Sequence, residues 1–286
     1  MRPNRVAAKL FAGHHSCEEL IHTPIQAGIR EDDTVQRFRI DGQVALVTGA
    51  SFGLGKAMAV GLAEAGADVA GISREAGNLA EVGREVEACG RQFLALECDV
   101  GERTQLRAAV DAAQAWQDKL DILVNNAGII HRAPIAQHPE EDWDRVLDVN
   151  LDAVWFGSQQ AGRYMLSQGR GKIITTASVL SFSGGILVPG YAASKGAVGQ
   201  LTKAMANEWA AHNINANAIA PGYMVTRNTS ALRADDERSR AILERIPAAR
   251  WGEPEDLKGA TIFLASNASD YVNGHIHVVD GGWCAR

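Results

Sequence analysis

A short apolar run, Val44-Ala45-Leu46-Val47, breaks into Thr48-Gly49-Ala50-Ser51-Phe52-Gly53-Leu54-Gly55, and the chain then continues in a helical pattern from Lys56 to Glu64. Three glycines at one strand-to-helix corner leave few backbone solutions. Gly49 permits a tight turn, Gly53 lets the backbone approach a ligand closely, and Gly55 lets the helix pack against the strand. The alternation continues downstream. Val69–Ile72, Phe93–Leu96, Ile122–Val124, Ile173-Ile174, Ile214–Ile219 and Ile276–Val279 read as strands buried on both faces, separated by helical stretches at Arg103–Trp116, Trp143–Tyr164, Ala192–Trp209 and Glu255–Ala265. Buried strands joined by helices require parallel pairing with right-handed crossovers. The predicted fold class is α/β, a single doubly wound parallel sheet of about seven strands, Rossmann-like, with helices on both faces.

The chain has 286 residues, 46% of them hydrophobic, which is enough to bury one substantial core. Residues 1–38 lack the alternation and read as a loosely ordered N-terminal extension, without a secretory or transit signal, whereas 39–286 read as one catalytic domain. With 34 acidic and 28 basic residues the net charge is −6, which disfavours nucleic acid as a partner. The uncharged run 173–194 is broken by Thr175, Thr176, Ser178, Gly184, Gly185 and Pro189, so no membrane span is expected. Cys17, Cys89, Cys98 and Cys284 show no paired spacing, which points to a reducing, cytoplasmic setting. The pairs His14-His15 and His275/His277 come without converging carboxylates or cysteines, so no metal is expected.

The glycine corner has a specific use. A helix N-terminus presents free N–H groups, and a backbone stripped of side chains lets a pyrophosphate reach them. A second grouping carries chemistry. Tyr191 and Lys195 are four apart in a helical segment and therefore share a face. A free phenol has a pKa of about 10, and a nearby ammonium lowers it towards the working range of a general acid/base. Ser178 lies just past the strand 172–176, at the sheet end where open α/β folds place their sites, and its hydroxyl is suited to holding a substrate oxygen.

The glycine spacing G-x-x-x-G-x-G, Asn125-Asn126-Ala127-Gly128, Asn150, Ser178, Tyr191-x-x-x-Lys195 and Pro221-Gly222 follow one another in an order that resembles the short-chain dehydrogenase/reductase family over nearly all of residues 40–286. The resemblance implies hydride transfer between NAD or NADP and a secondary alcohol or ketone. By the same resemblance Asn150, Ser178, Tyr191 and Lys195 are catalytic, with Lys195 also holding the nicotinamide ribose and Asn150 anchoring a water that links Lys195 to solvent. The cofactor would rest on Gly49, Ser51, Phe52, Gly53, Leu54 and Gly55. Further contacts would come from Ser73 and Arg74, Asp99 and Val100, Asn126, Ala127 and Gly128, then Tyr191, Lys195, Pro221, Gly222 and Thr226.

An acidic side chain after the second strand favours NAD and a basic one NADP. Here Ser73-Arg74 leans towards NADP, with Glu75 as the alternative carboxylate, whereas the branch most resembled leans towards NAD. That branch is suggested by Leu180–Ile186, Asn207–Ala210, Ala220–Met224, Leu232–Asp235 and Asp270–Gly274, which look like the 2-deoxy-D-gluconate 3-dehydrogenase and 2-dehydro-3-deoxy-D-gluconate 5-dehydrogenase group. The implied substrate is a ring-opened sugar acid, whose carboxylate needs a cation; Arg132 and Arg233 are the candidates. Other carbonyl reductases of the same scaffold, such as gluconate 5-dehydrogenase or 3-oxoacyl carrier-protein reductase, are the nearest alternatives. A non-catalytic NAD(P) sensor is the alternative of another class. The resemblance also implies a homotetramer built on the helices corresponding to 143–164 and 192–209 together with the C-terminal segment ending Gly281-Gly282-Trp283.

Overall fold

The structure, a computed structural model, describes residues 31–286, with side chains from Thr34 onward. Most of the expected extension, with His14, His15 and Cys17, therefore lies outside the described residues. The first described element is a short helix, α1 (Glu31–Gln36), after which the Arg37 carbonyl accepts the Ala268 N–H.

Seven strands follow: β1 (Val44–Thr48), β2 (Asp68–Ser73), β3 (Phe93–Glu97), β4 (Ile122–Asn125), β5 (Gly171–Thr176), β6 (Ile214–Pro221) and β7 (Ile276–Val279). They form one sheet in the order β3-β2-β1-β4-β5-β6-β7, every pairing parallel. The order reverses between β1 and β4, and the crevice at their carboxyl ends is where such a sheet binds ligands.

The strands are wholly buried at the centre, and successive side chains divide two cores. On β1, Ala45 and Val47 face a core shared with Met58, Leu62 and Leu264, whereas Leu46 faces one shared with Leu106, Val110 and Met165. On β4, Ile122 and Val124 join the first core and Leu123 the second. Period-two alternation inside a continuous apolar run is what a sheet covered on both faces demands. The expected two-sided burial fails only at the margins. The edge strands β3 and β7 are partly exposed because each has a neighbour on one side only.

Helix α2 (Gly53–Ala65) covers the first face; α3 (Ala80–Ala88) and α4 (Arg103–Trp116) follow β2 and β3. The stretch 143–164, read as one helix, is α5 (Glu140–Leu147) and α6 (Ala153–Gln168) joined by a π-helical turn at Asp148–Asp152. The longest helix, α7 (Pro189–Trp209), starts on a proline, whose missing N–H and fixed φ suit a first turn. Tyr191 is thereby held in that first turn, beside the end of β5. Two short helices, α8 (Ser230–Ala234) and α9 (Asp236–Arg245), then cross over the carboxyl end of the sheet, and α10 (Lys258–Ala265) returns to the first face after a 3-10 turn at Pro254–Leu257. Among the described residues no helix is long and apolar enough to cross a membrane, and no three His, Cys, Asp or Glu side chains converge as a metal site.

Candidate active site

The glycine corner is assembled by three strands. Gly49 has φ of +65°, and a Cβ there would lie 3.0 Å from the Ala127 Cα. A Cβ on Gly55 would fall on the Gly49 carbonyl and the Asn126 amide. Thr48 Oγ1, at the end of β1, accepts the N–H groups of Asn126 and Ala127 at 2.9 and 3.0 Å. The Asn126 side chain donates back to the carbonyls of Thr48 and Gly49 at 3.0 and 3.2 Å and accepts from Thr176 Oγ1 of β5 at 3.4 Å. Asn126 thus serves as a tie holding the corner, with its side-chain amide spent on the protein.

Phe52, the residue before α2, makes no side-chain cap, and the first turn of α2 has no acidic residue. The leading N–H groups of a 13-residue helix are therefore left to an anion. A corner with room for glycine alone and an uncapped helix start behind it fits a dinucleotide's pyrophosphate. Ser51, Phe52 and Leu54 line this corner by position.

Ser73 is buried at the end of β2, and Arg74 beside it is exposed. The Glu75 carboxylate turns away to accept from Asn78 at 3.1 Å. At the end of β3, Asp99 accepts from Arg145 at 2.6 Å and from the Gly101 N–H at 2.9 Å. Partial burial works to raise the Asp99 pKa, but these donors and the charges of Arg145 and Arg74 together hold it below the ordinary carboxylate value. Val100 packs into the second core. Pro221 closes β6, the Gly222 N–H donates to the Val279 carbonyl at 2.9 Å, and the Thr226 methyl lies 3.7 Å from where a Cβ on Gly53 would sit.

The four residues expected to be catalytic converge beside this corner. Asn150, fully buried in the π-helical turn, clasps the Ile129 backbone: its Oδ1 accepts from the Ile129 N–H at 2.8 Å and its Nδ2 donates to the carbonyl at 2.9 Å. Nδ2 also donates to Ser194 Oγ at 3.2 Å, and that hydroxyl donates to the Tyr191 carbonyl at 2.8 Å. The extra residue of the π turn brings Asn150 inward, which a regular helix pattern does not reveal. Ser178 caps a short 3-10 turn through its Oγ, which accepts the Leu180 N–H at 3.1 Å, and Ser181 Oγ donates to the Lys195 carbonyl at 2.6 Å. Lys195 Nζ donates to the Thr176 carbonyl at 2.5 Å and lies 5.6 Å from the Tyr191 ring centroid.

Burial raises the Tyr191 pKa, and the neighbouring Ser178 hydroxyl, followed by the charge of Arg132, pulls it back. The Lys195 ammonium, 5.6 Å from the Tyr191 ring centroid, is engaged by the Thr176 carbonyl. Burial instead lowers Lys195 from 10.5 to about 8.

The two candidate arginines both reach the segment after β6. Arg132 donates to the Asn228 carbonyl at 3.0 Å and Arg233 to the Thr226 carbonyl at 3.3 Å, and Arg233 Nε is buried without a partner. Thr48, Ser181, Ser194 and Thr176, which hold the expected site residues in place, carry no spacing signature of their own. Only Thr48, by its position at the strand end before the first glycine, was open to a guess.

Comparison with known proteins agrees with this geometry. Residues 49–284 match the family described as enoyl-(acyl carrier protein) reductase, a short-chain dehydrogenase/reductase family. A 2-dehydro-3-deoxy-D-gluconate 5-dehydrogenase of Pseudoalteromonas atlantica is 54% identical over 253 residues, covering 88% of this chain and all of that protein. The crystal structure of a putative 2-deoxy-D-gluconate 3-dehydrogenase from Agrobacterium tumefaciens with bound NADP is 52% identical with a TM-score of 0.82, covering 87% of this chain and 99% of that one. A gluconate 5-dehydrogenase from Burkholderia cenocepacia in complex with NADP and tartrate is 44% identical with a TM-score of 0.85, covering 88% and 99%. A glycine corner built for a dinucleotide, a Ser-Tyr-Lys-Asn cluster beside it and similarity across nearly the whole sheet have one explanation: the chain belongs to the short-chain dehydrogenase/reductase family, whose members are NAD(P)-dependent oxidoreductases acting on CH–OH groups.

Proposed function

We propose that this chain interconverts a secondary alcohol and a ketone on an open-chain sugar acid, with the activity of a 2-dehydro-3-deoxy-D-gluconate 5-dehydrogenase and a preference for NADP over NAD. The observation that carries the reading is the convergence of Asn150, Ser178, Tyr191 and Lys195 beside the glycine corner, held by Asn150 Nδ2 donating to Ser194 Oγ, Ser194 Oγ to the Tyr191 carbonyl and Ser181 Oγ to the Lys195 carbonyl. The relative of the highest quoted identity bears that activity in its name, which supports the substrate class.

The roles follow from the geometry. The nicotinamide, when bound, supplies or accepts the hydride. Tyr191, whose raised pKa keeps it protonated at neutral pH, gives its proton to the oxygen of a ketone being reduced and takes it back in the reverse direction. Ser178 holds that oxygen in reach of Tyr191. Lys195 titrates close to the working range and, anchored on Thr176, would hold the ribose hydroxyls of a bound cofactor. Asn150 keeps the loop at Ile129 and, through Ser194, the first turn of α7 in register. Arg132 and Arg233 receive the carboxylate, a role supported by both reaching the segment after β6.

NADP is preferred because Arg74 is free to meet a ribose phosphate while Glu75, the carboxylate that would favour NAD, is occupied by Asn78. NADP in the two structural relatives supports this. We read the assembly as a homotetramer, supported by Trp155 and Leu166, both exposed on α6, and the setting as cytoplasmic, supported by the free thiols of Cys89, Cys98 and Cys284.

The test is the change in reduced-nicotinamide absorbance with 2-dehydro-3-deoxy-D-gluconate, 2-deoxy-D-gluconate and D-gluconate, each with NADP and NAD. The first substrate with NADP should give the highest kcat/KM. A higher value with gluconate reassigns the substrate, and a higher value with NAD overturns the reading of Arg74.

A further inference from the structure

The segment between β6 and α8 is tied to the rest of the site at three consecutive residues. The Thr226 carbonyl accepts from Arg233 and the Asn228 carbonyl from Arg132. Between them, the Arg227 guanidinium lies over the Phe52 ring, its Cζ 3.5 Å from the centroid. Phe52 is the residue that opens α2, and the Thr226 methyl rests over Gly53 of the same corner. Arg227 is exposed and, among the described residues, its guanidinium makes no hydrogen bond or ion pair. A planar cation held by a ring at one face keeps its in-plane N–H donors available. Because Phe52 is the residue before α2, the guanidinium stacked on it sits beside an uncapped helix start that carries no acid in its first turn.

We propose that Arg227 is a cofactor-binding residue: stacked on Phe52, it donates to the pyrophosphate shared by both nicotinamide dinucleotides. The inference rests on the oxidoreductase reading above and extends it to a residue that neither the glycine spacing nor the Tyr-Ser-Lys cluster indicates. Its physical basis is economy of ordering. The stack fixes the guanidinium before the ligand arrives, so the charge-assisted bond forms without the entropy loss of immobilising a free arginine. Because flanking carbonyls anchor Arg132 and Arg233, cofactor held by Arg227 also steadies both candidate carboxylate receptors.

The test is fluorescence titration of NADPH and of NADH, separately, into the ligand-free full-length protein, without any substrate. Arg227→Met should weaken both cofactors by the same factor, about tenfold. Arg227→Lys should recover part of that loss, and Phe52→Leu should weaken both by about threefold through loss of the stack. Arg227 is exposed, so matched thermal melts are expected of the variants. A loss confined to NADPH would place Arg227 with Arg74 at the ribose phosphate and overturn the assignment. Binding of both cofactors within twofold of wild type would overturn it too. Wild-type protein that bound neither dinucleotide would refute the parent reading, and this one with it; tight binding without turnover of sugar acids would refute only the parent.

Discussion

Replacing Thr48 by valine removes one oxygen and keeps the shape of the side chain. Thr48 is 4% exposed, and its Oγ1 accepts two backbone N–H groups, from Asn126 at 2.9 Å and Ala127 at 3.0 Å, while its own proton reaches the Val124 carbonyl only at 3.4 Å. The substitution leaves both N–H groups without an acceptor. A buried donor so orphaned costs about 1–3 kcal/mol, so with two of them Thr48→Val should lower unfolding stability by about 2–6 kcal/mol. The contrast is Thr202→Val. That hydroxyl is fully buried as well, but it donates to the Val198 carbonyl at 2.8 Å inside α7, where the carbonyl keeps its helical partner. Nothing is orphaned there, and the loss should stay below about 1 kcal/mol. Urea denaturation followed by circular dichroism at one protein concentration measures both, with unchanged slope as the condition for comparing midpoints. Because the corner at Asn126 is released, Thr48→Val should also weaken NADPH binding at least about tenfold, and Thr202→Val should not. Equal losses in the two variants would refute the reasoning that Thr48 acts as an acceptor for the corner.

In alcohol oxidation the rate should rise with pH as Tyr191 loses its proton; Ser178 and Arg132 both lower its pKa, so Ser178→Ala and Arg132→Met should each move that rise to higher pH, whatever they do to the plateau. A shift to lower pH in pH-rate profiles would contradict the assignment. For Lys195 the folded value of about 8 against an ordinary 10.5 means that the unfolded chain holds a proton the folded chain has released between those limits, so folding stability gained from this group rises with pH across that window. Wild type should therefore gain about 3 kcal/mol over Lys195→Met between pH 8 and 10.5 in paired denaturation curves, and a difference independent of pH would refute it. Asn150→Leu leaves the Ile129 backbone unpaired in the interior and should lower stability by about 2–4 kcal/mol, read in the same denaturation assay, with loss below about 1 kcal/mol as the contrary result.

The sheet was legible because its apolar runs are uninterrupted and its helical stretches are long, and each read strand overlaps an observed one. Arg103–Trp116 coincides with α4 because its ends carry no competing signal. The break between α5 and α6 was not legible, since Asp148–Asp152 keeps helical composition and departs only in hydrogen-bond register, to let Asn150 reach Ile129. Helices α3, α8 and α9 were missed because segments of nine, five and ten residues are too short to establish a helical pattern among charged neighbours. At the site, motif spacing located Ser178, Tyr191 and Lys195, whereas the direction in which each ammonium or guanidinium points is a tertiary property. Four residues along a helix brings Lys195 beside Tyr191, but the Thr176 carbonyl decides where its charge goes. Likewise Arg132 exerts its effect on Tyr191 from a loop more than fifty residues away in sequence, a coupling that no local pattern encodes.

Proton transfer by Tyr191 is the step on which the functional account stands. A single-turnover measurement with Tyr191→Phe, saturated with NADPH and mixed with the ketone form of the sugar acid, reads it without interference from product release. The account predicts hydride transfer slowed by about 10²–10⁴-fold while NADPH binds within about twofold of wild type. Transfer within about tenfold of wild type would contradict it.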